Sequence, residues 1–309
     1  MKNDSRKSPR EWEFGSASLS YSKANVKIEV QEYNPQQEPR VEWRVGGRSF
    51  YSTDCAKCFM DLKFSVARTA IYESGEGIHA SKLASPEHLA PVFLMWPTRR
   101  FIVDVACNEE NDRERVAEVP MMDGSALPFF SALRRYVGIP EELAFYDVPV
   151  HAEWDLYRSD VEESTQAQKP YGSVKITPSE TFEVEYILER NDGVNSFKSA
   201  ADVSIYSAED LYNVFAARTF ILKNEFEESR KAGLLGGVDK SCGLLLDNSV
   251  PESFPSFRVK SEPARHKILD LLGDLCFAKP ALPKVRLEII NGGHLSHRTI
   301  LEKVLPYAL

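Results

Sequence analysis

At 309 residues the chain is too long for one typical hydrophobic core and comfortable for two. Its 43% hydrophobic and 27% charged residues place it among ordinary globular proteins, and a net charge of -8 with a pI near 5.4 argues against a nucleic-acid surface. No run of eighteen apolar residues is present and the opening MKNDSRKSPR is polar, so neither a transmembrane helix nor a secretion signal is expected, and a cytoplasmic location follows as the expectation.

The first half reads as short strands with few helices. Alternation of apolar and polar residues predicts half-buried strands over residues 25–33, 41–45 and 101–107, with Gly46-Gly47 as a hairpin turn. Cys55-Ala-Lys-Cys58 has the spacing of a redox or zinc pair. With five scattered cysteines and no second pair, reduced thiols are the expectation. Residues 125–137 have helical spacing and stop at Gly138 before Pro140. The turn-rich, charged stretch from Pro140 to Pro178 marks a junction near its start. The expected division is an N-terminal α+β domain over 11–140 and a C-terminal one over 148–309.

Alternation resumes at residues 182–188. Ser207 with Asp210 three residues on forms a capping-box-like start, followed by Leu211, Val214, Phe215 and Arg218. A polar helix is predicted over 224–232, ending at Gly233. A longer helix over 263–278 is bounded by Pro263 and Pro280, and the last helix covers 294–304.

The long helix carries the most informative residues. His266 and Asp270 lie four apart and project from one helical face, with Asp274 a further turn on. Ile268, Leu271, Leu272 and Leu275 anchor the opposite face. A His and an Asp one turn apart reach one Zn²⁺ at about 2.0–2.2 Å, although the same spacing also makes common surface pairs. Ser85-Pro86-Glu87-His88 reads as a helix start, with Ser85 as cap and Pro86 at its first position. His88 would complete a set of three ligands with one coordination position left for water, and Glu87 would stand beside that water as a proton acceptor. In Asn291-Gly-Gly-His294, His294 would be a free imidazole at the mouth of the site, with Asp274 as its candidate carboxylate partner. A protonated His294 would stabilise an oxyanion and then protonate a leaving amine. His79, His151 and His297 lack such context and are expected to be structural or exposed.

These stretches carry a resemblance. Ser85-Pro-Glu87-His88-Leu89, Met122-Asp-Gly-Ser-Ala126 with Pro128-Phe129, Ala217-Arg-Thr219-Phe220 with Leu234-Leu-Gly-Gly237, Arg265-His266-Lys267-x-x-Asp270-x-x-Gly273-Asp274, and Gly293-His294 resemble, in order and spacing, the UDP-3-O-acyl-N-acetylglucosamine deacetylase family of lipid A synthesis. The similarity spans roughly residues 11 to 307.

The resemblance implies an α+β fold of two similar domains, each a mixed sheet backed by helices, with the helices packed between the domains. It implies a zinc-dependent amide hydrolase that releases acetate from an acylated UDP-sugar, with Fe²⁺ as the alternative ion and a monomer as the expected state. His88, His266 and Asp270 match the metal ligands. Glu87 matches the general base, and His294 the general acid supported by Asp274. Thr219 matches a hydroxyl holding the oxyanion, and Lys267 a cation beside the substrate. Phe220 matches a residue near the sugar and acyl chain. Residues 221–233 correspond to an insert forming an acyl passage, where Leu222 and Phe226 offer apolar contacts.

The sequence also departs from the family pattern. The family's early Gly-x-Gly-x-His segment reads Phe14-Gly-Ser-Ala-Ser-Leu-Ser-Tyr-Ser here, and no aromatic residue stands at Glu189-Arg190-Asn191. No clear lysine matches the one expected near Tyr171-Gly172, and Pro91 falls within the helix after His88, where it should end or kink it. Two alternatives therefore stay open: a related deacetylase acting on another N-acetylated substrate, and a non-catalytic relative acting as a binding module.

Overall fold

A computed structural model describes residues 10–31, 36, 38–66, 69–75, 80–110, 114–157, 169–191, 196–231, 235–238, 241–246 and 256–308. His79 and Gly233 lie outside the described residues.

The fold is α+β, with mixed sheets backed by helices in two domains. In the first sheet the strands run Arg10–Ser16, Ala24–Val30, Arg100–Val105, Arg40–Val45 and Arg48–Ser52 from edge to edge. The central pair, Arg40–Val45 and Arg100–Val105, is parallel, and the other neighbours are antiparallel. Strand side chains alternate between faces, so one face of this sheet is apolar: Val26, Ile28, Val41, Trp43, Val45, Phe101, Val103 and Val105 are all buried. Gly46 and Gly47 turn the chain between Arg40–Val45 and Arg48–Ser52 at positive φ, as their sequence predicts.

A second sheet orders Lys63–Val66, Ala70–Ser74, Ala80–Ala84, Glu114–Glu118 and Cys107–Glu110. The third orders Ala152–Leu156, Gly172–Pro178, Leu282–Ile290, Phe182–Asn191 and Ser196–Ile205, with Phe145–Asp147 also paired to Leu282–Ile290. Phe182–Asn191 runs parallel to Leu282–Ile290, and its hairpin with Ser196–Ile205 is antiparallel.

The helix Glu262–Ala278 is the hub. It packs on Phe182–Asn191 and Ser196–Ile205 of the third sheet, on the Pro86–His88 and Ala90–Met95 turns, and on the helix His294–Val304. Contact on several sides explains why nearly all of it is buried, beyond the single apolar face read from its sequence. Phe277, near its C-terminal end, meets Trp43, Tyr51, Phe59 and Tyr72 from the first half of the chain. The Tyr51 hydroxyl donates to the Ala278 carbonyl at 2.7 Å.

Several expectations need correction. Ser85 does not cap an α-helix: it sits at φ 58 without a side-chain capping bond, and Pro86–His88 and Ala90–Met95 are successive 3₁₀ turns. Pro91, which has no N–H to donate, lies at the start of the second turn. The helix opened by Ser207 stops at Phe215, short of Arg218. Cys55 and Cys58 form a disulfide rather than remaining reduced. One turn of the helix Ala56–Met60 brings their Cα atoms to 5.3 Å, within ordinary bridging reach. Among the described residues no helix is long and apolar enough to cross a membrane.

Candidate metal centre

Three donors from distant parts of the chain converge at the hub. Asp270 Oδ1 lies 3.2 Å from His266 Nε2 and 3.5 Å from His88 Nε2. All three residues are buried, and their donor atoms lie within 4.8 Å of one another. Two ligands at about 2.0–2.1 Å from a tetrahedral ion stand roughly 3.3–3.4 Å apart, so the set fits one divalent cation.

Local structure explains each position. His266 and Asp270 share a helix face at one-turn spacing, as the sequence predicts. His88 arrives on the Pro86–His88 turn, which can approach because Gly273 has no side chain. A Cβ there would meet the Glu87 carbonyl oxygen at 2.1 Å and its Cα at 2.5 Å. His266 Nδ1 donates to the Ala217 carbonyl at 3.1 Å, leaving the Nε2 lone pair facing the other donors. Burial, opposed by Asp270, pushes the His266 pKa down and keeps the ring neutral, the form that binds a metal. Burial alone would raise the Asp270 pKa. His266, Lys267 and His88 outweigh it and hold the carboxylate well below its ordinary range.

Glu87 stands beside this group. Its Oε1 accepts a hydrogen bond from Thr69, while Oε2 is buried without a protein partner. Burial raises its pKa, opposed by His294 and His88 and assisted by Asp274 and Asp270. His294 Nε2 lies 3.7 Å from Glu87 Oε1, and its Nδ1 donates to Asp274 Oδ2 at 2.7 Å. Burial disfavours the imidazolium. The charge and hydrogen bond of Asp274, with Glu87 and Asp270, more than offset this and raise the His294 pKa to about 9.

The remaining predicted residues divide into two groups. Lys267 Nζ donates to Asp270 Oδ2 at 2.9 Å and stands 5.8 Å from the Phe220 ring centre. Phe220 lies edge-on to His266 at 6.3 Å, so it flanks the centre. Thr219 is two residues beyond the Ala217 carbonyl that orients His266, and its backbone N–H donates to the Gly124 carbonyl at 2.6 Å. Gly124 and Gly243 make room for it: a Cβ on either would meet Thr219 Cγ2 at 2.8 Å. Leu222 is buried in a small cluster with Leu244 and Leu246, and Phe226 lies under the Arg230 guanidinium on the helix Lys223–Lys231. That helix packs on the paired strands Phe220–Leu222 and Leu244–Leu246.

His151 is exposed, as expected. Of the two alternatives expected for His297, structural or exposed, it takes the first: it is fully buried, and its Nδ1 lies 2.8 Å from Asp274 Oδ2. Its three-residue spacing from His294 places both rings on one side of the last helix, a signal present in the sequence. Tyr72 from the second sheet reaches Asp274 Oδ1 at 3.4 Å, with no comparable sequence signal. Arg218 and Glu262 were also missed. Both are buried, and Glu262 accepts from the Arg218 backbone N–H at 3.0 Å and its Nε at 2.8 Å, pinning the Ala217–Thr219 segment to the start of the long helix.

Residues 42–306 match the family of LpxC, UDP-3-O-acyl N-acetylglycosamine deacetylase, a stretch that contains the whole convergent group from Glu87 to His294. The chain belongs to this family. A UDP-3-O-acyl-N-acetylglucosamine deacetylase of Aquifex aeolicus is 25% identical over 71% of this chain and 68% of its own length. One from Thermodesulfovibrio yellowstonii is 26% identical over 74% of this chain and 70% of its own. One from Chromobacterium violaceum is 25% identical over 72% and 67%. Membership of the deacetylase family makes the buried His/Asp group its candidate metal centre.

Proposed function

We propose that the protein is a zinc-dependent deacetylase that removes the acetyl group from a UDP-3-O-acyl-N-acetylglucosamine, in lipid A synthesis. The observation that carries this is the convergence of His88, His266 and Asp270 beside the unpartnered Oε2 of Glu87. In this reading those three residues hold Zn²⁺, with Fe²⁺ as the alternative ion. When bound, the ion supplies Lewis acidity toward a carbonyl and acidifies water to a pKa near about 7.

The chain's own groups carry the protons. Glu87 Oε2 takes a proton from the attacking water, because it is the carboxylate oxygen left free by Thr69. The Thr219 hydroxyl and the His294 imidazolium face the developing oxyanion, whose charge they lower. His294 then gives its Nε2 proton to the amine as the C–N bond breaks. The acetyl group leaves as acetate, and the sugar keeps a free amine. Asp274 keeps the proton on His294 Nδ1 by accepting its hydrogen bond. Lys267 and Phe220 border the substrate, and Leu222 and Phe226 would meet its acyl chain.

The test is acetate release from acylated UDP-N-acetylglucosamine, with metal content measured on the same sample. Turnover that disappears on chelation and returns with Zn²⁺ is expected. A protein that binds no metal and releases no acetate would reject the reading. Equal turnover of substrates with and without the nucleotide would move the substrate away from UDP-sugars, as the missing aromatic residue near Glu189 suggests.

A further inference from the structure

Asp274 is held from more than one direction. His294 Nδ1 and His297 Nδ1 both lie within hydrogen-bond distance of the same oxygen, Oδ2, at 2.7 and 2.8 Å. The Tyr72 hydroxyl donates to the other oxygen at 3.4 Å. An ionised carboxylate only accepts, so both imidazoles carry their proton on Nδ1. His297 Nε2 is then an acceptor, and the Tyr186 hydroxyl lies 3.4 Å from it. The resulting chain runs from Tyr186 through His297 and Asp274 to His294. Tyr186 is itself fully buried in the third sheet, so the chain is anchored away from solvent.

We propose that His297 is a positioning residue: by donating from Nδ1 to Asp274 Oδ2, it locks the carboxylate in the orientation that serves His294. The inference rests on the reading of His294 as the proton donor. A carboxylate attached only to His294 can rotate about its terminal bond, because that torsion is soft. Two donors at Oδ2 and one at Oδ1 remove that freedom. Asp274 and Asp270 face His297 from the long helix, His294 from its own helix and Tyr186 from the sheet. Burial outweighs Asp274 and Asp270 and keeps the His297 ring neutral, so it donates a hydrogen bond without itself becoming a competing cation.

A buried histidine that merely fills space would behave differently on substitution. The comparison uses the full-length chain as His297→Phe, His297→Asn and Tyr186→Phe, with His294→Ala as reference. Metal content and Tm are measured first, followed by kcat and KM for acetate release. In chelated protein the His294 ring is titrated by NMR.

His297→Phe keeps the ring volume but removes the donor. It is expected to retain its metal, lose roughly 10- to 100-fold in kcat with KM within about twofold, and let the His294 titration fall from about 9 toward 6.5. His297→Asn restores an N–H donor and is expected to recover most of the lost kcat. Wild-type kcat and an unmoved His294 titration in His297→Phe would overturn the proposal, as would equal losses in Phe and Asn. If His297→Phe does not fold, Tyr186→Phe decides: a lowered His294 titration supports the relay and an unmoved one rejects it. Failure of the underlying reading is separable, since His294→Ala would then keep its turnover.

Discussion

Glu87 and His294 are prepared for opposite proton transfers by different causes, burial for the carboxylate and the neighbouring Asp274 for the imidazole. Burial raises the carboxylate, so Glu87 protonates at higher pH than an ordinary glutamate. For His294, burial is overcome by the Asp274 carboxylate. Glu87→Gln keeps the shape and removes the base. It is expected to retain the metal and lose about 10²- to 10⁴-fold in kcat, read from acetate release and metal analysis.

The pH dependence follows from His294, whose folded pKa of about 9 lies above its ordinary 6.5. Its contribution to stability is therefore complete below about 6.5 and is lost as pH rises through about 9. Activity that needs the imidazolium should decline over that same upper limb. Asp274→Asn should lower the NMR titration of His294 in chelated protein, and an unchanged midpoint would remove Asp274 as the cause.

At the scale of elements, the decisive contact is between the helix Glu262–Ala278 and the Pro86–His88 turn. Gly273 touches the Glu87 backbone, and backbone cannot move aside as a side chain can. Gly273→Ala is accordingly expected to push the turn and its His88 away from His266 and Asp270. The expected result is about 1–3 kcal/mol of lost stability and weakened metal binding, measured by denaturant unfolding and by metal titration. A variant with wild-type metal affinity would show that the turn is not held at this distance. The Arg218–Glu262 pair acts at the start of the same helix. It fixes the segment whose Ala217 carbonyl sets the His266 tautomer.

Across the whole molecule, the donors belong to segments 178 positions apart, His88 and His266, so a bound ion ties the two parts of the fold together. A ligand that binds only the folded state stabilises it by mass action, about 2.7 kcal/mol at a hundredfold excess over Kd. Chelation should therefore lower the Tm while leaving the far-ultraviolet circular dichroism intact, because the sheets and the aromatic cluster around Phe277 do not depend on the ion. Equal Tm values with and without chelator would exclude a metal bound with appreciable affinity.

Local periodicity already determined much of this protein. The alternation around Val26, Trp43 and Val103 encodes strands, and the four-residue step from His266 to Asp270 encodes a shared helix face, because both depend only on near neighbours in the chain. The run of short motifs was enough to place the chain in its family. Tertiary structure decided the rest. His88 reaches its partners only because two sheets and a side-chain-free Gly273 let a 3₁₀ turn settle on the helix. His297 is buried because the last helix packs on the helix that carries Asp274. Such meetings join residues far apart in sequence, and their distances follow from close packing, which no local pattern records.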